Sequence, residues 1–180
     1  MISTGYMRTI LISCLLYLIA IPVSAQSDYA GQQHRPIKAL SEAEIQGYLN
    51  GAGMGSARAA ELNHYPGPMH VLELADSLAL SPDQLARTQA LFDAVKDEAR
   101  RLGREVVAKE RELDRLFADA QADDANVHAL LEEIALLQAR LRSAHLRAHI
   151  AQRGVLSAGQ IARYDELRGY TSGNGVHGHH

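Results

Sequence analysis

Two histidines, His145 and His149, stand four residues apart in the segment SAHLRAH. Inside a helix this spacing places both imidazoles on one face, one turn apart, so that both can reach one metal ion. Imidazole nitrogen is a ligand for zinc, nickel, cobalt and copper. Two ligands rarely hold a metal firmly, so the pair needs further donors from another segment. The alternative is two surface histidines among arginines, whose positive charge opposes a cation.

The further donors are expected on a segment that packs beside the helix carrying this pair. Residues 69–78 suit that role, because they contain His70 and Glu73. Glu61 is another plausible carboxylate, a little earlier in the chain. One interpretation is a divalent transition-metal site that combines these donors with the two helical imidazoles, and the alternative of two surface histidines stays open.

A second candidate for metal capture is the tail, which ends VHGHH and contains His177, His179 and His180. His-rich segments can hold metal loosely. The alternative is a flexible tail with no such role. His34 and His128 have no supporting neighbours, and we interpret them as ordinary surface residues.

The first 25 residues have the layout of a secretory signal peptide. Arg8 precedes an apolar run over residues 10–21, and small residues lead to a cleavage site after Ala25. That run is shorter than the roughly 20 apolar residues that span a bilayer, although a retained anchor is the alternative. We expect an exported protein that loses Cys14, its only cysteine, so that disulfides and cysteine metal ligands are excluded.

The composition favours helices and excludes some classes of function. Ala, Leu, Arg, Glu and Gln dominate, all of them strong helix formers. The formal net charge of −3 gives no indication of nucleic-acid binding. No serine or threonine lies in a nucleophile motif, and the acidic pairs fall on solvated helix faces, so we expect no enzymatic activity.

Several short helices are expected before residue 80. Ser41 and Glu44 form a capping box that begins the first of them. The glycine-rich run 51–55 ends it, and no strand precedes this run, so we interpret it as a turn rather than a phosphate-binding loop. Further short helices are expected over residues 56–63 and 69–78.

Two long helices follow. Ser81 with Pro82 begins the first, and Asp123 or Asp124 begins the second, which ends near Gly154. Each carries a heptad pattern, and matching seams joined by a short connection predict an antiparallel hairpin. The first seam comprises Leu85, Thr88, Phe92, Val95, Ala99, Leu102, Val106, Lys109, Leu113 and Leu116. The second comprises Val127, Leu130, Ile134, Leu137, Leu141, Ala144, Ala148 and Ala151.

Apolar residues also lie off these seams. A single hairpin seam buries too little surface alone, so we expect the short helices and a second subunit to cover them, giving a homodimer. They could equally form a surface that holds other proteins. The residues are Leu91, Phe117, Leu131, Leu136, Leu146 and Ile150.

Two similar motifs each begin a helix. They are Leu80-Ser81-Pro82-Asp83-Gln84 and Leu156-Ser157-Ala158-Gly159-Gln160. Both resemble the LTxxQ signature, with serine in place of threonine as the helix cap. With the export signal and the hairpin, they make the chain resemble the Spy/CpxP family and its ZraP- and CnrX-like relatives, which are periplasmic metal-resistance and metal-sensor proteins.

This resemblance implies a small all-α, hook-shaped four-helix arrangement, an antiparallel dimer in the Gram-negative periplasm, and no enzyme. It implies one of two partners, unfolded envelope proteins or a membrane signalling protein. CnrX-like sensors carry a His-x3-Met pair late on the second long helix. His145 matches that histidine and His149 replaces the methionine, so metal selectivity does not carry over.

The expected organisation is a signal peptide over 1–25, an N-terminal segment over 26–64, the hairpin domain over 65–170 and the tail over 171–180. We favour a heavy-metal-binding sensor or resistance protein that takes Zn, Ni, Co or Cu. The alternatives are an ATP-independent chaperone of the Spy type and a helical adaptor without a metal.

Overall fold

The structure is a computed structural model that describes residues 27–171. The predicted signal peptide and the three tail histidines lie outside these residues. The chain divides into two compact units after Gly31. The described part of the first unit is a turn, in which the Tyr29 backbone N–H donates to the Ser27 hydroxyl.

Residues 32–171 form six α-helices and a short 3-10 helix over Gln32–His34, and this described part contains no strand. The all-α prediction is confirmed. None of these helices combines the length and the apolar character needed to cross a lipid bilayer.

The antiparallel hairpin consists of α4 (Pro82–Ala118) and α5 (Asp124–Arg153). Both helices begin at the predicted caps, because the Ser81 hydroxyl accepts from the Gln84 N–H and the Asp123 carboxylate accepts from the Asn126 N–H. The two helices pack against each other.

In the middle of the hairpin, the buried residues are those of the predicted seams. At its open end, where α4 begins and α5 ends, they differ from the prediction. Ala99, Leu102, Val106, Leu137 and Leu141 form one buried cluster. At the open end, however, Leu85 is 44% exposed and Ala151 is exposed, so the prediction is wrong for both.

A polar pair occupies the core at that end instead. Gln152 Nε2 donates to Thr88 Oγ1 at 3.0 Å, and both side chains are fully buried. This bond pairs the buried Gln152 amide N–H with the buried Thr88 hydroxyl oxygen, whereas Gln152 Oε1 has no partner within residues 27–171. The buried register therefore moves from the predicted Ala151 to its neighbour Gln152.

The short helix α1 (Glu42–Leu49) packs on α4. Its capping box is the predicted one, and Ile37, Leu40 and Ile45 form a buried cluster with Val107 of α4. The backbones approach closely at Gly103, where a Cβ would lie 2.1 Å from the Tyr48 carbonyl oxygen. Glycine at this position is what permits the contact.

Two further short helices are α2 (Arg58–Glu61) and α3 (Pro68–Glu73). The predicted helix over 69–78 is too long, because the chain leaves the helix at Leu74 and turns towards Ser81. That turn brings Leu78 into a buried cluster with Val71, Leu156 and Tyr164. Long-range packing thus overrides the local helical pattern.

The last helix, α6 (Ala158–Arg168), brings the second motif against the first. Gln84 Nε2 donates to Gln160 Oε1 at 2.8 Å, and Gln160 Nε2 donates to Gln84 Oε1 at 3.0 Å. Each glutamine oxygen also accepts from the backbone N–H of its own serine cap. The two motifs are therefore joined directly, and this explains why each carries a glutamine three residues after its serine.

The off-seam apolar residues divide into two groups. Phe117, Leu131, Leu136 and Ile150 are well exposed, with Phe117 at 63%. Leu91 and Leu146 are half-buried instead.

Candidate functional site

A cleft of about 600 Å³ lies between the hairpin and residues 50–70, which we call the short-helix segment. Its lining includes His145 and His149 of α5 and His70 of α3. One wall is the glycine-rich turn over residues 51–55, in which Gly53 lies next to the His145 ring. The element before this turn is the helix α1 and not a strand. The lining also includes apolar side chains, namely Met54, Leu62, Met69, Phe92 and Val95.

His149 is held by the backbone of the short-helix segment. Its Nδ1–H donates to the Tyr65 carbonyl oxygen at 2.7 Å, which fixes the ring and leaves Nε2 as the nitrogen that a metal ion could bind. The ring packs so closely on Gly67 that a Cβ there would lie 3.0 Å from Nε2. Glycine therefore keeps open the space beside this nitrogen. A backbone carbonyl on the far nitrogen is the usual outer support of a metal-binding imidazole.

His145 lies one turn earlier on the same helix face, as the spacing predicted. Its Nε2 is buried and has no hydrogen-bond partner among the described residues. Burial lowers the pKa of His145, and the nearby His149 lowers it further, against the opposite effect of Glu98. The imidazole is thus neutral near pH 7, the protonation state in which it can bind a metal.

Glu61 connects the cleft to the last helix. Its Oε1 accepts hydrogen bonds from the Tyr164 hydroxyl at 2.5 Å and from the Tyr170 hydroxyl at 3.1 Å, and its Oε2 accepts from the Gly67 N–H. Oε2 also lies 3.6 Å from His149 Nδ1. Burial raises the pKa of the Tyr164 hydroxyl, and the Glu61 carboxylate raises it further. Both oxygens of the Glu61 carboxylate therefore already accept hydrogen bonds from within the protein.

The other predicted donors differ in their placement. His70 lines the cleft, but its Nδ1–H donates to Glu73 at 2.8 Å. Glu73 is not among the lining residues, and its side chain is 57% exposed. Glu73 thus holds His70 from outside the cleft. His64 pairs with Asp165 at 2.7 Å, and His128 lies 3.3 Å from Glu132 on the surface.

The structure thus brings three of the four predicted hairpin-domain donors to one cleft. Within residues 27–171 no three His, Cys, Asp or Glu side chains are grouped closely enough to hold a metal ion. The donor chemistry fits a transition metal at two positions, His145 and His149, and leaves the coordination incomplete. Arg58 and Lys96 also line the cleft, and their positive charge acts against a cation.

Sequence reasoning did not find Tyr65 or Gly67. Gly67 has a backbone φ of −83°, which any residue can adopt, so glycine is needed there for space rather than for its backbone conformation. The contact of Tyr65 with His149 joins residues 84 positions apart and leaves no local pattern.

The fold and the cleft define a class: a helical-hairpin protein with an imidazole pair at the junction of its long and short helices. The chain belongs to the heavy-metal resistance family, whose family model matches residues 48–163. This range includes His70, His145, His149 and both serine–glutamine motifs, and it confirms the family resemblance. Comparisons with curated proteins and with solved structures gave no significant match.

Proposed function

We propose that the protein binds a divalent transition-metal ion through His145 and His149 and acts in heavy-metal resistance as a sensor or buffer. The observation that carries this proposal is the buried, unpartnered Nε2 of His145 beside the oriented ring of His149. A buried polar atom without a partner costs about 1–3 kcal/mol. A metal ion bound at this nitrogen would remove that cost.

The donor chemistry limits the choice of ion. Imidazole suits Zn²⁺, Ni²⁺, Co²⁺ and Cu²⁺, whereas Mg²⁺ and Ca²⁺ prefer oxygen ligands. Glu61, whose carboxylate lies 3.6 Å from His149, is occupied by two tyrosine hydroxyls and a backbone N–H. Glu98, whose charge acts on His145, is paired with Arg147. The pair therefore selects for the transition metals as a class.

Calorimetric titration of the purified protein with these four ions tests the proposal. We expect saturable binding that is lost in the His145→Ala, His149→Ala variant. The matched control is His34→Ala, His128→Ala, which removes two histidines outside the cleft lining and should bind as the unmodified protein does. Equal affinity in the cleft variant and the unmodified protein would refute the proposal.

A second function, holding unfolded envelope proteins, is favoured by the exposed apolar residues of the hairpin. Phe117, Leu131, Leu136 and Ile150 leave large apolar surfaces in solvent, and such surfaces commonly mark protein-binding sites. A chaperone would suppress aggregation of a denatured client equally well with and without His145 and His149. An adaptor would show neither this activity nor metal binding.

We further propose that the protein is exported to the periplasm and forms a homodimer through this apolar surface. The support is the signal-like N-terminal sequence and the exposure of the same hairpin residues. Sizing by light scattering tests the dimer, and Leu136→Glu should shift it towards the monomer. A monomer for the unmodified protein at all concentrations would exclude the dimer.

A further inference from the structure

The cleft is larger than a metal ion held by His145 and His149 requires. A water molecule takes up about 30 Å³ in the liquid. An ion that completes its coordination with water would therefore fill only part of a cleft of about 600 Å³. Cavities of about 300–1,000 Å³ are typical of sites for small organic ligands. The cleft thus has room for a small organic molecule beside the ion.

Arg58 and Lys96 bring two positive charges to the cleft lining. Within residues 27–171 neither side chain forms an ion pair with a carboxylate, and the Lys96 ammonium lies 5.2 Å from the centre of the Phe92 ring. Glu61 is the acidic residue of the lining, and its oxygens already accept from two tyrosine hydroxyls and a backbone N–H. These two cations oppose a bare metal ion, but they suit an anion.

The glycine-rich turn over residues 51–55 brings the two cationic residues and an imidazole to one wall of the cleft. Its first glycine packs on the Lys96 backbone, its second on the His145 ring and its third on the Arg58 guanidinium. A Cβ on these glycines would lie 2.9, 3.9 and 3.3 Å from those groups, respectively. An anion bonded to an ion at His145 would therefore lie on the wall that also carries the positive charges.

We propose that the cleft binds the metal as a chelate, in which a small organic dicarboxylate occupies coordination positions that the protein leaves open. This inference rests on the proposed function and names the form in which the ion is bound. His145 and His149 would supply two imidazoles, and one dianion would supply two oxygens, which makes the four ligands that zinc usually takes. Arg58 and Lys96 would bind carboxylate oxygens through charge-assisted hydrogen bonds.

Charge and polarity both favour an organic dianion over water or an inorganic anion. A dianion cancels the double charge of the ion, so the complex no longer meets repulsion from Arg58 and Lys96. An inorganic anion would leave the apolar side chains of Leu62, Met69 and Phe92 in contact with water. A carbon skeleton would cover that surface instead.

Two isomeric probes separate chelation from simple anion binding. Phthalate and terephthalate carry two carboxylates on the same benzene ring, but only the adjacent carboxylates of phthalate can bind one ion together. Phthalate is titrated calorimetrically into the full protein loaded with one equivalent of zinc, and the heat of the same titration into zinc alone is subtracted. We expect saturable binding of phthalate, and we expect its loss when zinc is omitted or when terephthalate replaces phthalate.

The charge variant Arg58→Gln, Lys96→Gln removes both positive charges from the lining. It should weaken phthalate binding to the zinc-loaded protein by about tenfold or more, because it removes charge-assisted hydrogen bonds. It should bind zinc alone at least as tightly as the unmodified protein, because repulsion is relieved. A general loss of folding would weaken both. The matched control, Arg140→Gln, Arg142→Gln, removes the same charge at exposed positions of α5 outside the lining and should leave phthalate binding unchanged.

Cobalt shows whether the dianion bonds to the ion itself. Its visible absorption depends on the coordination geometry. Phthalate should therefore change the spectrum of the cobalt-loaded protein, whereas terephthalate should leave it unchanged.

Three results would overturn the inference and leave the proposed function intact. They are no phthalate binding by the zinc-loaded protein, equal binding of the two isomers, and phthalate binding that is unchanged in Arg58→Gln, Lys96→Gln. If the His145→Ala, His149→Ala variant binds zinc like the unmodified protein, the proposed function fails and the inference fails with it.

Discussion

Replacing Gly103 by Ala tests how closely α1 packs on α4. The added Cβ would lie 2.1 Å from the Tyr48 carbonyl oxygen and 2.7 Å from its carbon. Both are backbone atoms, so no side-chain rotation relieves the overlap, and α1 must move by about 1 Å to restore a normal contact of roughly 3.3 Å. That movement would loosen the buried contacts of Ile37, Leu40 and Ile45 with Val107.

Two opposing effects determine the size of the change. Ala is favoured over Gly in a helix interior by about 1 kcal/mol, whereas overpacking a core costs about 1–3 kcal/mol and occasionally more. The clash with rigid backbone places the cost at or above the top of that range. We therefore expect a net loss of about 2 kcal/mol in the free energy of unfolding, or about 4–8 °C in Tm.

The assay is urea unfolding followed by helical circular dichroism, in which the midpoint should fall while the slope stays constant. The matched control is Gly159→Ala in α6, where a Cβ would meet no atom within 4 Å. It should stabilise the protein by about 0.5–1 kcal/mol. If Gly103→Ala is also stabilising, the close packing of α1 on α4 is refuted.

Two buried polar groups give further predictions. Thr88→Val leaves the buried Gln152 amide unpaired and should lower the free energy of unfolding in urea by about 1–3 kcal/mol. The Thr88→Val, Gln152→Met double variant should recover much of this loss. If the double variant instead loses the sum of the two single-variant losses, the pairing is contradicted. Glu61→Gln should cost a similar amount, because the amide has one acceptor oxygen for the two tyrosine hydroxyls and the Gly67 N–H that two carboxylate oxygens now accept. Glu73→Gln at an exposed carboxylate should change stability by no more than about 0.5 kcal/mol, and equal losses at both positions would argue against a structural role for Glu61.

The features that sequence predicted well are those encoded locally. The serine caps of α1, α4 and α6 and the Asp123 cap of α5 all occur as expected, because a cap involves residues three apart. The heptad pattern also placed the middle of the hairpin core correctly.

The features that it missed depend on distant residues. Glu61 was one of two plausible carboxylates with no further support, because its tyrosine partners lie more than 100 residues away. Glu73 was grouped with the metal donors by position, whereas the structure pairs it with His70 outside the cleft. The metal-site residues themselves stay predictions until binding is measured.

The reciprocal amide pair of Gln84 and Gln160 has a consequence for the order of folding. The hairpin can grow from the turn before Asp123 through contacts between residues close in sequence, which form fast. The two glutamines are 76 residues apart, and they meet only when the full hairpin has formed and α6 has folded back. We therefore expect their contact to form late in folding. A partly folded chain would have a completed hairpin but an open end, where proteases would first find exposed backbone.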